Sequence, residues 1–392
     1  MLYISIFIIL LYLSFRYDLM GAKTFKDFWY VFMLVVFILV AGLRYRLGED
    51  TPNYLWGFYH KYPPLEKFSL SDFSIGSDPL WVLLNSIVKS IGGRFYHVQL
   101  IHATIINVLI FKYIKKHSSY IFTCLLFYAF CCYTNYNMQI MRASLSVVLC
   151  LFGNDYVLER KWFKGYVLYG IALFCHAQTI LIFVLPFLFF MRLNAKGMLL
   201  LIFAFVAGKI LQDSLGDYVF LLEDSDEIAD KAEMYANSDD YGQGKSFKWL
   251  LLRYIMDIPY ALLSLWYVKH KLKNRHLLRF EPFIMLGLLF LFVQFNFQIA
   301  YRFVDYYRIY FVLFFAEFFI GCAKCYLRMP IITAFVVMLL MFVPYVFIMG
   351  WGRSGSFDQY YPYSSVIERS KSADREKLYR SERRHGPRSD EY

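Results

Sequence analysis

Arginines set into apolar sequence are the first residues here whose type and spacing could do chemistry. In GLRYRLGEDTPNY, Arg44, Arg46, Glu49 and Asp50 crowd within seven residues beside Gly48, Pro52 and Tyr54. Guanidinium forks bind phosphate bidentately and keep their charge when desolvated, so this loop could hold an anion with a carboxylate at hand. In NMQIMRASLSVV, Gln139 and Arg142 are spaced i, i+3 and would share a helix face; the plainer reading of Arg142 is an interface anchor. His176 in LFCHAQT stands with Gln178 and Thr179 in the middle of an apolar run, where a lone His is most often a packed residue and a polar cluster suggests a helix break. In IAYRFVDYYRIYF, Arg302 and Tyr306 are i, i+4, with Asp305 and Arg308 adjacent, and an Arg302–Asp305 pair could be purely structural. Arg253 and Asp257 read as an internal ion pair, and Asp155 and Glu317 as pairing or snorkelling groups in the opposite half of the membrane.

The elements that must position these groups are set by composition. The 392 residues are 59% hydrophobic and 21% aromatic, with only 18% charged, and the mean hydropathy is +0.44. That excludes a soluble globular domain, a disordered chain and a nucleic-acid binder with a solvated basic face, despite a formal charge of +11. Met1 to Phe15 carry no charge, so a basic signal-peptide head is missing and an uncleaved first span is expected. Cys322 and Cys325 make a lone CxxC with no second pair, which points to no metal. No P-loop or G-x-S-x-G elbow is present, so nucleotide hydrolysis and serine esterase chemistry lack support.

Apolar runs fall near 2–15, 28–43, 98–111, 119–134, 138–157, 166–190, 197–211, 248–268, 283–299, 303–321 and 331–350. Residues 79–91 cover only about 20 Å at helical rise, short of a hydrocarbon core of about 30 Å, so an interfacial or re-entrant helix is expected there. Residues 166–190 read as two shorter helices meeting near His176. With those two choices, Arg16/Lys23/Lys26, Lys112/Lys115/Lys116, Arg160/Lys161/Lys164, Arg192/Lys196, Lys269 to Arg279 and Lys324/Arg328 gather on one side, as the positive-inside rule asks. The fold class expected is therefore an all-α polytopic membrane protein with about twelve crossings, both termini outside and a cavity at the outer face, a GT-C-like arrangement being one option. The domains expected are a transmembrane domain over 1–350, an outer YPYSSV segment over 351–370 and a basic, disordered tail over 371–392, whose charge alone would favour the inner side. The acidic insert 213–247 would be a solvated outer cap, or else a gating or acceptor-binding element.

In this orientation Arg44, Arg46, Arg142, Arg302, Arg308, His176 and Asp50 all fall near the outer face, and convergence on one cavity is expected. The same segments resemble the EpsG family of polytopic membrane proteins, similar in role to Wzy-type polysaccharide polymerases. The resemblance runs over roughly 1–370, through Arg44, Gly48, Asp50 and Tyr54, then Gln139 and Arg142, His176, Arg302 and Tyr306, and finally Pro362, Tyr363 and Ser365. His176 is followed here by Ala-Gln-Thr, where the family pattern has a small residue and Ser.

The resemblance implies a glycosyltransferase in the cytoplasmic (inner) membrane of a bacterium, acting at its periplasmic or exterior face. It would move a growing glycan from polyprenyl diphosphate to a lipid-linked oligosaccharide repeat unit, with membrane lipid around it, room for a chain-length-regulating partner, and no cofactor, metal or nucleic acid. Asp50 or His176 would be the catalytic base. Arg44, Arg142, Arg302, Gln139, Tyr54, Tyr306 and Tyr363 would bind diphosphate or substrate. Competing readings are a flippase for the lipid-linked oligosaccharide, which should show matched halves, and a membrane glycan ligase or acyltransferase using His176.

Overall fold

In hydrocarbon every backbone N–H and C=O needs a partner within the protein, which leaves helices or closed barrels as spanning elements. The computed structural model describes residues 2–48, 50–69, 78–221, 258–297, 300–325 and 360–371, and among them every regular element is helical. The Arg253–Asp257 pair, Glu49, the last expected span at 331–350, the acidic insert beyond Leu221 and the tail beyond Lys371 lie outside the described residues. Two compact units form, divided after Pro186, with residues 360–371 belonging to the first.

The first unit contains α1 (Leu2–Leu13), α2 (Lys26–Gly42), α3 (Thr51–Trp56), α4 (Pro79–Ser90), α5 (Phe95–His117), α6 (Ile121–Cys131), α7 (Met141–Leu158) and α8 (Trp162–Cys175). Among the described residues, Leu2–Leu19, Phe95–His117 and Met141–Leu158 are long and apolar enough to cross a membrane, and α6 and α8 are shorter apolar helices. At 12 residues α4 spans about 18 Å, too short to cross. It nevertheless buries Trp81, Val82, Asn85, Ser86 and Val88, so one side of it is packed.

Small residues set the closest helix approach. A side chain at Gly153 of α7 would overlap the Tyr169 ring of α8, and one at Gly165 would press on Val157 and the Gly153 carbonyl. Near the end of α7, Asp155 accepts from Lys116 Nζ at 2.7 Å and meets His117 Nε2 at 2.8 Å, tying α5 to α7 as the expected pairing requires.

The break at His176 is present. His176 is extended, with φ −158° and ψ 120°, so α8 stops and the chain continues as 3-10 turns over Ala177–Phe183 and Leu185–Leu188. The Ala172 carbonyl at this end accepts from His176 N at 3.0 Å and from Ser146 Oγ at 2.7 Å, so the break leaves it satisfied. A second expectation changes: Gln139 ends a π-type turn over Asn135–Gln139 and α7 begins only at Met141, so Gln139 and Arg142 do not share one continuous helix face. Ile140, with φ −89° and ψ 50°, makes the interruption.

The second unit holds α9 (Ala195–Leu221), a helix over 258–267, α10 (Glu281–Gln294) and α11 (Arg308–Cys325). Buried Glu281 accepts from Lys269 Nζ at 2.8 Å and from the Leu193 N–H at 2.7 Å, pinning the π-helical stretch Val268–Leu272 and the loop before α9 to the head of α10. Arg302 sits on the single turn Tyr301–Val304, and residues 305–307 turn before α11 starts, so the continuous i, i+4 relation to buried Tyr306 is also interrupted. Asp305 pairs with Arg308 at 2.7 Å.

The charge-derived orientation makes Lys67 external and Lys273 internal. With accessible native cysteines replaced, a membrane-impermeant thiol reagent applied to whole cells should label Lys67→Cys and spare Lys273→Cys; the reverse pattern would discard this topology.

Candidate functional site

Asp78 was not among the residues the sequence singled out, yet it is the centre of the first unit's polar cluster. It immediately precedes α4, in the left-handed region at φ 53°, followed by Pro79 at the first helical position. Its backbone carbonyl accepts from the Trp81 and Val82 N–H groups, which starts the helix and frees the side chain for other partners. The carboxylate is 4% exposed. Oδ2 accepts from Arg142 at 2.7 Å and lies 3.4 Å from His176 Nδ1, while Oδ1 accepts from the Ala177 N–H at 3.0 Å. Burial pushes the Asp78 carboxyl up, but the hydrogen bond and charge of His176, the charge of Arg142 and the Ala177 N–H together hold it below the usual carboxylate range. An Asp-Pro pair heading a short apolar helix was the available signal.

Each element contributes one part. α7 begins one residue before Arg142, whose side chain is 42% exposed and therefore reaches both Asp78 and open space. The helix break supplies His176 and the Ala177 N–H together. α3 adds Tyr54, whose ring lies 5.8 Å from the Arg142 guanidinium and 5.3 Å from the Trp81 ring. Burial, and then the charge of Asp50, push the Tyr54 phenol up to about 12, against the pull of Arg142. Asp50, at the N-cap position of α3, is thus within electrostatic reach of the cluster, although its side chain makes no capping bond.

Arg44 has a different setting. It is 1% exposed, and its guanidinium donates to the Ala41 carbonyl at 2.5 Å, the Leu47 carbonyl at 3.2 Å and Met141 Sδ at 3.2 Å. It thereby ties the end of α2 to the start of α7. The chain around it is held by the 360–371 segment: Tyr45 N–H donates to Ser364 O, Val366 N–H donates to Leu43 O, and Arg44 and Ser365 form an isolated antiparallel bridge. Tyr363 donates to the Val40 carbonyl at 3.0 Å and meets the Tyr3 ring edge-on. Gly48 sits at φ 105°, and a Cβ there would overlap the Met138 carbonyl oxygen.

Of the residues picked from sequence, the structure brings Tyr54, Arg142 and His176 together around Asp78, with Asp50 nearby. Arg44 and Tyr363 frame the adjoining loop, and Gln139 ends the turn that leads into α7. Arg302 and Tyr306 belong to the second unit. Among the described residues no group of three His, Cys, Asp or Glu is placed to hold a metal ion. Chemically, the cluster pairs a half-exposed guanidinium with an imidazole whose Nδ1 faces a buried carboxylate, an arrangement that orients the other ring nitrogen as a proton acceptor.

Asp78→Asn should destabilise the purified protein by about 1–3 kcal/mol, the low end reflecting screening at the half-exposed arginine. Asp78→Asn combined with Arg142→Gln should cost less than the sum of the two, and strict additivity in thermal unfolding would show that they do not interact. Because the folded carboxyl titrates below its ordinary value, its contribution is fully present above about pH 4 and is lost as pH falls through the folded value. Gly48→Ala should cost about 2 kcal/mol or more in the same assay, through the left-handed backbone and the Met138 overlap.

No curated protein and no solved structure matches the chain. The EpsG family model matches residues 27–365, from the first turn of α2 to Ser365, which bridges to Arg44. The chain therefore belongs to the EpsG family.

Proposed function

We propose that the protein is a polysaccharide polymerase: a membrane glycosyltransferase that moves a growing glycan from polyprenyl diphosphate onto a sugar hydroxyl of a lipid-linked oligosaccharide. Family membership supports a polymerase-like membrane protein. The observation that carries the chemistry is the buried Asp78 carboxylate between half-exposed Arg142 and His176.

Transfer requires a proton to leave the acceptor hydroxyl and a diphosphate to depart with the electron pair of the broken glycosidic bond. His176 is the proposed base. Asp78 holds its Nδ1 side, leaving Nε2 to take the proton while the acceptor oxygen bonds to the anomeric carbon. Asp78 also balances the imidazolium that forms. Arg142 is the proposed contact for the departing diphosphate, its charge placed beforehand and kept from drifting by Asp78. Tyr54 walls the guanidinium from one side, and Asp50 is the alternative base. Gln139 and, in the second unit, Arg302 and Tyr306 are proposed substrate contacts on the sequence pattern alone. The reaction is assigned to the outer face of a bacterial cytoplasmic membrane, the side on which the positive-inside rule puts these groups.

Cells lacking the gene should keep single lipid-linked repeat units and lose the long-chain glycan ladder, with wild type restoring it. An unchanged ladder would refute the polymerase reading for that glycan, and loss of surface units with internal accumulation would favour a flippase. Arg142→Lys should restore ladder formation about ten- to a hundredfold less well than wild type, since a lysine cannot reproduce a forked contact worth about 1.5–3 kcal/mol. His176→Ala should fail outright; a complementing His176→Ala beside an inactive Asp50→Asn would transfer the base role to Asp50.

A further inference from the structure

Beside the Asp78 cluster stands a phenol to which the proposed chemistry gives no task. Tyr62 ends the π-helical stretch Gly57–Lys61 that follows α3, in extended backbone at φ −86° and ψ 126°, the region toward which the following Pro63 inclines it. α4 holds it at two points. The Tyr62 carbonyl accepts from Lys89 Nζ at 2.9 Å, and the same ammonium donates to the Phe58 and Tyr59 carbonyls at 3.1 and 3.2 Å, so one side chain satisfies the end of the π-helical stretch. The Tyr62 phenol oxygen accepts from Trp81 Nε1 at 3.2 Å, and Trp81 is buried three residues after Asp78. A Cβ at Gly57 would stand 3.0 Å from Tyr62 Cε2 and 3.2 Å from its hydroxyl, so the glycine leaves the ring its place.

This anchoring brings an unspent donor to the cluster. An indole nitrogen only donates, so the bond from Trp81 uses the phenol oxygen and leaves the phenol hydrogen over. No described residue accepts that hydrogen, and Tyr62 is partly exposed. The Trp81 ring lies 5.3 Å from the Tyr54 ring, which in turn lies 5.8 Å from the Arg142 guanidinium. Burial pushes the Tyr62 phenol up while the charge of Arg142 pulls it down, so guanidinium and phenol stand within electrostatic reach of one another. Arg142 gives a donor to Asp78 and still keeps 42% of its side chain exposed. A charged donor and a neutral donor thus stand together, each with hydrogens to spare. An anionic oxygen is the partner that both can share.

We propose that Tyr62 is a further substrate-contacting residue of this site, donating its hydroxyl hydrogen to a phosphate oxygen of the diphosphate that Arg142 meets. The inference deepens the polymerase reading and rests on it for the identity of the ligand. No proton is transferred in this contact. The phenol keeps its hydrogen, and the bond tightens as the glycosidic bond breaks and its electron pair passes to the diphosphate oxygen. Trp81 and Lys89 act through Tyr62 and are positioning residues.

Two measurements on the full chain purified in detergent test the contact: binding of inorganic diphosphate, and transfer kinetics with lipid-linked repeat units extracted from cells lacking the gene. Tyr62→Phe, which keeps the ring, should weaken diphosphate binding about tenfold and lower kcat about ten- to a hundredfold, with KM changed much less. In an Arg142→Ala background the same substitution should change diphosphate binding far less, because the shared anion is already lost, a dependence that a purely structural tyrosine would not show. Trp81→Phe keeps the Tyr62 hydroxyl and removes the donor that holds it, so it should cost less than Tyr62→Phe. Wild-type binding and kcat in Tyr62→Phe would overturn the contact. So would an equal loss in Trp81→Phe at unchanged melting temperatures, since the phenol would then serve only to hold the indole. Diphosphate that fails to bind the wild type, or that still binds Arg142→Ala as well, would overturn it too. Transfer absent from the wild type, while the Tyr62 and Arg142 variants still weaken diphosphate binding, would leave the contact standing and overturn the polymerase reading instead.

Discussion

A carboxylate removed from water stays ionised only where fixed donors and cations replace its hydration, and Asp78 meets that condition by drawing three separate chain segments to one point. Its backbone starts α4, its Oδ1 receives the N–H that the break after α8 releases, and its Oδ2 receives Arg142 at the start of α7. Removing the charge would leave the Ala177 N–H and the Arg142 guanidinium without their carboxylate. The short α4 is thereby tied to two longer helices by a polar contact, where small-residue packing does the corresponding task between α7 and α8.

The beginning of α7 is fixed from two further directions. Arg44 reaches Met141 Sδ from the end of α2, and His102 of α5 meets the Met141 carbonyl at 2.9 Å and Ser144 Oγ at 3.0 Å. Arg142 therefore stands next to a residue held by both α2 and α5, and its charge is presented from a constrained backbone. This accounts for the different settings of two arginines that look alike in sequence. Arg44 spends its donors on carbonyls and holds the frame, whereas Arg142 keeps nearly half of its side chain accessible and can meet a ligand. The 360–371 segment completes the frame by pairing with the chain on both sides of Arg44, so residues far apart in sequence close one loop.

Much of this was legible beforehand. The apolar runs locate the helices because lipid admits few other backbone solutions, and the polar interruption at His176 marks a break because an imidazole in mid-helix would be costly. The length of 79–91 foretold a helix too short to cross. Asp78 escaped notice because a lone carboxylate in a loop has no periodicity to betray it; its importance arises from partners at positions 142, 176 and 177. The helix-face relations assumed for Gln139 with Arg142, and for Arg302 with Tyr306, failed to anticipate a π-type turn and a tight turn, since short interruptions in apolar sequence leave little trace in composition.

The sequence by itself determined that the chain is an all-helical membrane protein, which family it resembles, and that Tyr54, Arg142 and His176 were worth attention, because burial cost and guanidinium chemistry follow from residue type. Which side chains meet was decided only by the tertiary structure. A residue's partners, and hence whether an arginine is buried as a brace or left half-exposed, depend on distances between segments that one-dimensional spacing does not contain.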